Sequence, residues 1–268
     1  MLLPKKNTVS SGNSVERPFN WTPIIVLIVL LIVWGATEMT DFDFTIIFTK
    51  APSRIVRFFN RLFPFNTNYF NRIWVPVAQT LAMSFLGTLI GALFAFPTMY
   101  FASSNLNSNK ISLFIIRIIL SIIRTIPITV YAIVFSMVFG LNSFVGMIAI
   151  ALFTYSILTK MMYDYIETVD MDAFEALIAT GASKFKAYWV AILPQILGVF
   201  SSQFLYNFEM NVRSSAVLGY VGAGGIGLVL DNQMKLNLYQ NVTPILIALL
   251  ATVLFVEFLS RSLRRRLS

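Results

Sequence analysis

The 268-residue sequence contains no cysteine and no histidine. The lack of Cys excludes disulfide bonds and thiolate chemistry, and the lack of both excludes zinc sites built from Cys or His ligands. Catalytic triads that depend on His are excluded as well. The G-x-x-x-x-G-K-[ST] pattern of a phosphate-binding loop is also absent, so the chain is not expected to hydrolyse ATP. We therefore expect no catalytic residue, no metal and no cofactor on this chain.

Charged residues are scarce too. They make up 12% of the chain, whereas 57% of its residues are hydrophobic and the mean hydropathy is +0.76. A soluble domain carries about 25% charged residues, so this chain cannot cover a surface that faces water. The net charge of +8 is explained by basic residues that hold helix ends on the cytoplasmic side of a membrane. We therefore expect membrane lipid around the chain and no nucleic-acid partner.

Six apolar runs approach the roughly 20 residues that a helix needs to cross a bilayer. They predict an all-α, polytopic membrane protein with six transmembrane helices. Gly140–Ser143 is a turn signal that separates the third run from the fourth, and Pro194 interrupts the fifth run near its start. The predicted spans are Pro23–Thr37, Thr80–Ala102, Arg117–Phe139, Phe144–Met162, Ala187–Phe208 and Leu236–Val256.

The predicted topology places both termini in the cytoplasm, because the number of spans is even and both tails are basic. Residues 1–22 form the N-terminal tail, 23–37 the first span, 38–79 an extracytoplasmic segment, 80–260 the core and 261–268 the C-terminal tail. Segment 50–72 does not fit this topology, because it is basic and basic segments favour the cytoplasmic side. Its pattern of Ile55, Phe58, Phe59 and Leu62 against Arg54, Arg57 and Arg61 predicts an amphipathic helix on the membrane surface.

The loop at residues 170–194 is unusually long for a connection between membrane helices. An acidic amphipathic helix with Asp172 and Glu175 is followed by Gly181, which can end a helix through a positive φ. A basic segment then leads into the next span. This order predicts a rigid knob that protrudes from the bilayer, suited to transmitting force from a soluble partner.

The same loop resembles the permease subunits of bacterial ABC importers. Their pattern is E-A-A, then G after three residues, and later I-x-L-P; here it reads Glu175–Leu177, Gly181 and Ala191–Pro194. Leu177 and Ala191 depart from the pattern but stay apolar. The resemblance implies a type I ABC-importer permease fold whose loop seats in a groove of a separate ATPase subunit. The implied coupling residues are Asp172, Phe174, Glu175, Ala176, Leu177, Gly181 and Ala182.

Two further segments narrow the resemblance to phosphonate-type permeases. They are Arg124–Pro127, and Asn211–Gly219 with its continuation to Gly227. The resemblance implies import of phosphonate, or of phosphate or phosphite, across the bacterial inner membrane. It also implies three kinds of partner: ABC ATPase subunits that carry ATP and Mg, a second permease copy that is identical or paralogous, and an extracytoplasmic binding protein.

Candidate pathway residues follow from charges near the spans, which are costly in a membrane and therefore functional candidates. A guanidinium suits an oxyanion because it offers a planar, bidentate fork. The candidates are Arg124, Thr125, Pro127, Arg213, Ser214 and Ser215. Arg117 lies two turns from Arg124 on the same helix face, and it can instead reach the headgroups. The spacing also predicts the pairs Glu209–Arg213 and Glu257–Arg261.

The glycines at 222–227 match the dinucleotide pattern G-x-G-x-x-G letter for letter. That pattern has meaning only between a strand and a helix, with an acidic residue about 20 positions later. Here it lies between membrane segments, and the residues at that distance are apolar. We therefore expect Gly222, Gly224, Gly225 and Gly227 to serve close helix packing and a kink.

One alternative is a secondary transporter or channel that works alone. Such a protein is expected to show inverted repeats with broken helices, or acidic residues at the bilayer midplane. The sequence shows no repeat, and no Asp falls within a predicted span. A membrane scaffold without transport activity explains the apolar runs but leaves the loop pattern unexplained.

Overall fold

A computed structural model describes residues 6–8, 14–16, 21–40, 45–63 and 66–266. The chain divides into two units, Met1–Asn60 and Arg61–Ser268. Helices dominate both of them. The all-α class is confirmed, with one small addition: strands β1 (Lys6–Thr8) and β2 (Ser14–Glu16) pair antiparallel, with Asn7 opposite Val15.

The first unit contains the N-terminal apolar helix. Helix α1 spans Thr22–Met39, begins with Pro23 in its first turn and has no buried residue. A helix that is apolar on all sides is suited to lipid. A π-helical turn at Ile46–Lys50 leads into α2 (Ala51–Leu62), which carries the chain into the second unit. The arginines of α2 lie on one side of the helix and its aromatic and aliphatic residues on another.

The second unit contains the remaining helices. They are α3 (Phe70–Ala102), α4 (Lys110–Thr125), α5 (Ile128–Phe139), α6 (Ser143–Ile166), α7 (Asp172–Ala179), α8 (Lys184–Ala187), α9 (Leu193–Tyr220), α10 (Gly225–Lys235) and α11 (Tyr239–Arg264). A 3₁₀ turn at Thr67–Tyr69 precedes α3, and a π-helical turn at Tyr188–Ile192 precedes α9. Within the described residues, five helical segments are long and apolar enough to cross a membrane, or six when α4 and α5 count as one bent span.

The predicted third span, Arg117–Phe139, is a broken span in the structure rather than a single helix. Helices α4 and α5 are separate and bent by 85° at the break between them. Pro127 is the physical reason, because it lacks an N–H and disfavours helical geometry in the residue before it. Ile126 accordingly adopts an extended conformation, with ψ 123°.

The second and fifth predicted spans are shorter than the helices that the structure shows. Helix α3 begins at Phe70, well before Thr80, and α9 continues past Phe208 to Tyr220. Hydropathy ends the fifth span at Phe208 because Glu209, Asn211 and Ser215 are polar, yet all three are buried. Helix α11 also starts later and ends later than the predicted sixth span.

Close packing joins α3 to α6 through a G-x-x-x-G pattern, Gly87 and Gly91. A Cβ atom added at Gly91 would lie 2.6 Å from the Ala151 carbonyl oxygen, and one at Gly87 would lie 2.8 Å from that of Met147. Small residues at this spacing let membrane helices approach closely. The pair therefore sets how closely α3 and α6 pack.

A buried polar cluster joins three helices. The side-chain amide of Asn211 on α9 donates to the hydroxyl oxygens of Thr88 on α3 and Thr154 on α6, each at 2.8 Å. All three side chains are buried. Hydrogen bonds of this kind contribute about 0.6 kcal/mol each in membrane proteins. They fix the rotation of α9 against the α3–α6 pair.

Candidate functional site

Helix α7 carries the acidic half of the predicted loop and ends in a left-handed glycine. Gly181 has φ +91°. Its N–H donates to the Ile178 carbonyl at 2.9 Å, and the Ala182 N–H donates to the Leu177 carbonyl at 3.1 Å. These two bonds form a Schellman motif, which stops a helix sharply. The chain therefore turns at a fixed point between α7 and α8.

The predicted coupling residues divide by exposure. Phe174 is 5% exposed and belongs to the buried cluster that contains Met162, Ile166 and Ile192. Asp172, Glu175, Ala176 and Gly181 are exposed, and Leu177 and Ala182 are partly buried. Phe174 thus anchors the knob to the bundle, while the acidic residues and the glycine form its outer surface.

The base of the loop is tied to the start of α9. The Gln195 side-chain amide donates to the Ala191 carbonyl at 2.8 Å and to the Asp170 carbonyl at 3.4 Å. Between these points lie α8, whose first turn is capped by the Ser183 hydroxyl, and the π-helical turn that precedes Leu193. The knob is therefore connected through α8 and this turn to α9, the longest described helix after α3.

The candidate pathway residues form two separate groups. Arg124, Thr125 and Pro127 lie at the α4–α5 break, and the Thr125 hydroxyl donates to the Ser121 carbonyl at 2.8 Å. Arg213, Ser214 and Ser215 lie on α9. No hydrogen bond or ion pair in the described part of the chain joins the two groups.

Arg213 lies in an ion network between α9 and α11. Its guanidinium is 3.3 Å from Glu209 and 3.8 Å from Glu257, and Glu209 also accepts from Arg264 at 2.9 Å. Arg261 pairs with Glu257. The predicted pairs Glu209–Arg213 and Glu257–Arg261 are therefore confirmed. The pairing of Arg264 with Glu209 was not foreseen, because no sequence spacing connects two different helices.

Arg124, unlike Arg213, has no carboxylate partner among the described residues. It is partly buried at the end of α4, and within the described residues it forms no ion pair. No carboxylate offsets the attraction of the Arg124 guanidinium for an anion, whereas two nearby carboxylates offset that of Arg213. Arg124 is therefore the stronger candidate of the two for contact with an oxyanion.

The glycine segment connects α9 to α10, so the elements on both sides of it are helices. Gly222, Gly224 and Gly225 all have positive φ. The N–H of Ile226 donates to the Thr80 hydroxyl at 2.8 Å, which ties the start of α10 to α3. A Cβ at Gly219 would overlap the backbone of Gly227. The segment is a tight turn between two helices whose backbones are in contact. A dinucleotide site needs a strand before the glycines, so this arrangement does not fit one.

Several residues that hold the helices of the second unit together were not predicted. They include Gly87 and Gly91, Asn211 with its threonine partners, and a cluster around Glu167. The first pair could have been found, because G-x-x-x-G in an apolar segment is a recognised helix-packing signal. The others depend on contacts between helices that are distant in sequence.

Together, the apolar helices long enough to cross a membrane define a multi-pass membrane protein, with α7 and α8 between α6 and α9. Residues 87–268 match the family described as binding-protein-dependent transport system inner membrane component. The chain therefore belongs to this family.

Curated relatives and a solved structure agree with this assignment. The chain is 31% identical to the phosphite transport system permease protein PtxC of Stutzerimonas stutzeri, over 93% of this chain and 89% of that protein. It is 30% identical to the phosphate-import permease protein PhnE of Mycolicibacterium smegmatis, over 79% of this chain and 40% of that one. A chain of the inward-facing MetNI methionine ABC transporter has the same fold, with a TM-score of 0.66 and 20% identity; the match covers 76% of this chain and 100% of that one. The type I importer fold is thereby confirmed.

Proposed function

We propose that the chain is the permease of an ATP-driven importer for a phosphorus oxyanion: phosphonate, phosphite or phosphate. The single observation that carries the mechanism is the anchored knob at 170–194, whose exposed acidic helix and glycine turn are connected rigidly to α9. The relatives support the substrate class, since those with high coverage are named for phosphite transport.

The proposed mechanism is alternating access without covalent chemistry on this chain. An extracytoplasmic binding protein delivers the anion, and two ABC ATPase subunits carrying ATP and Mg close against each other in the cytoplasm. Each ATPase contacts one knob through Asp172, Glu175, Ala176 and Gly181, so two permease copies are required, identical or paralogous. Both termini and the knob lie on the cytoplasmic side of the inner membrane.

The proposed role of Arg124 is to contact the passing anion. Its position beside the bend at Pro127 places a guanidinium where the third span is interrupted. A bidentate fork matches two oxygens of a phosphorus oxyanion. Arg213, held by Glu209 and Glu257, would then support the helices rather than contact the substrate first.

A substrate panel tests this function. The permease complex is purified from its native membrane, reconstituted into liposomes with its binding protein, and supplied with phosphite, methylphosphonate, phosphate or sulfate. We expect ATP-dependent accumulation of at least one phosphorus oxyanion and no accumulation of sulfate. Uptake that continues without ATP would contradict the importer mechanism, and uptake of sulfate alone would contradict the substrate class.

A further inference from the structure

A polar cluster outside the predicted site joins the ends of α3 and α6 to α4. Its centre is Glu167, the residue directly after α6. One of its carboxylate oxygens accepts hydrogen bonds from the backbone N–H and the hydroxyl of Ser104, both at 2.7 Å, and pairs with Arg117 of α4. The Asn105 side-chain amide donates to the Glu167 backbone carbonyl at 3.3 Å. We call this set of residues the Glu167 joint.

Arg117 is held from three directions. Its guanidinium donates twice to the Ala102 carbonyl, at 3.0 and 2.8 Å, in addition to its ion pair with Glu167. It also lies over the Tyr163 ring, with 4.6 Å from the guanidinium carbon to the ring centroid. A planar cation with this many fixed contacts holds its helix in one position. The Arg117 side chain therefore interacts with other residues of the protein and does not extend to lipid headgroups.

Glu167 is ionised in this setting. Burial opposes its ionisation, but the hydrogen bonds from Ser104 and the Arg117 charge outweigh it and lower its pKa. Because the pKa of Glu167 is lowered in the folded state, its ionised carboxylate stabilises the fold at neutral pH. This stabilisation is lost as the pH falls through the lowered pKa. The joint is therefore charged and intact at physiological pH.

The segment between α3 and α4 also contacts the coupling loop. The Lys184 ammonium on α8 donates to the Ser108 hydroxyl at 2.9 Å. The segment itself is stiff: the Asn107 side chain accepts from the Asn109 N–H at 3.0 Å, and Asn109 caps α4 by accepting from the N–H groups of Ile111 and Ser112. The coupling loop is therefore linked to α4 from both sides of its glycine turn. Glu167, just before the loop, pairs with Arg117 of α4, and Lys184 within the loop contacts Ser108, just before α4 begins.

We infer that Glu167 is a positioning residue that transmits movement of the coupling loop to α4, in parallel with the direct connection to α9. The inference rests on the proposed function of the loop. Helix α4 ends at the 85° break before α5, so a small rotation of α4 about the joint displaces the Arg124–Pro127 bend. Two helices would then move together when the ATPases close: α9 from one end of the loop and α4 from the other.

The test compares Glu167→Gln with Asp164→Asn in the reconstituted complex. Asp164 is a matched control, because it lies near the same end of α6 and pairs with Lys160, but its side chain is 49% exposed. Within the described residues it forms no hydrogen bond or ion pair with α4 or with the segment after α3. The readout is substrate imported per ATP hydrolysed, which a merely structural role would not change in an assembled complex. We expect this ratio to fall about 10-fold in Glu167→Gln, within the range of coupling free energies between sites. Asp164→Asn should match the unmodified chain.

An unchanged ratio in Glu167→Gln would overturn the inference. So would an equal fall in Asp164→Asn, since that would indicate a general effect of charge at the end of α6. If the unmodified complex imports no oxyanion, the proposed function fails, and this outcome is distinct from both.

A second measurement works without the ATPase, and so remains decisive if Glu167→Gln assembles poorly. The natural chain has no Cys, so a chain with Ala179→Cys on α7 and Ile122→Cys on α4 can be spin-labelled at these two positions alone. Dilution with excess unlabelled chain in nanodiscs leaves one labelled copy per disc. Pulsed EPR should give a narrow distance distribution when Glu167 is present and a clearly broader one in Glu167→Gln. Equal widths in the two proteins would contradict the joint.

Discussion

Gly181→Asp is expected to abolish ATP-coupled uptake while the chain still inserts and folds. Among the described residues, no neighbouring atom lies within 4 Å of a Cβ built at Gly181, so the new side chain meets open space. The positive φ of +91° costs a residue other than Gly about 1 kcal/mol, which a membrane protein of this size tolerates. The added carboxylate would instead add a negative charge to the outer surface of the knob, where the ATPase is proposed to bind.

Gly181→Asn is the matched control for this prediction. Asn has the size of Asp and tolerates the left-handed region better than most residues, but it carries no charge. ATP-dependent uptake and retention of the ATPase on affinity-purified permease should both be lost with Asp and largely kept with Asn. Normal uptake in Gly181→Asp would count against a coupling role for the loop, and equal loss with Asn would assign the effect to backbone conformation alone.

Gly219→Ala is expected to have the largest effect on stability. An added methyl group would overlap the Cα and carbonyl carbon of Gly227, and these backbone atoms cannot move cheaply. Overpacking of this kind costs about 3 kcal/mol or more. For a chain of this size, that corresponds to a fall in Tm of roughly 10 °C.

Thermal unfolding in detergent, followed by the loss of monodisperse protein, measures this effect. Gly35→Ala is the control, since no neighbouring atom of the described residues lies within 4 Å of its Cβ, and Ala is favoured over Gly in a helix by about 1 kcal/mol. Its Tm should equal or slightly exceed that of the unmodified chain. A Gly219→Ala protein with unchanged Tm would show that α9 and α10 do not pack as closely as described.

The spanning helices could be predicted because each is an apolar run, and runs of that length have few alternatives in a membrane protein. The helix break at Gly140 was predicted for the same kind of local reason, since glycine at φ +77° ends α5 and Asn142 caps α6. Local chemistry also gave the pairs Glu209–Arg213 and Glu257–Arg261, because each pair is four residues apart on one helix.

What could not be predicted depends on neighbours that are distant in sequence. Hydropathy treats Asn211 as a loop residue, but two threonines on other helices satisfy its amide. It gives no angle for the bend at Pro127. Arg117 was expected either to line the pathway or to reach lipid headgroups, because its partner Glu167 lies 50 positions further along the chain. In each case the deciding partner belongs to a different helix.

The most direct test of the central claim is mass spectrometry of what accompanies this chain when it is extracted gently from its native membrane. The proposed function predicts an ATP-binding-cassette subunit at one copy per permease, retained by the chain with Gly181 and lost from Gly181→Asp. If the chain is recovered alone, under conditions that keep a known importer intact, the coupling mechanism is contradicted and a transporter that works alone becomes the better explanation.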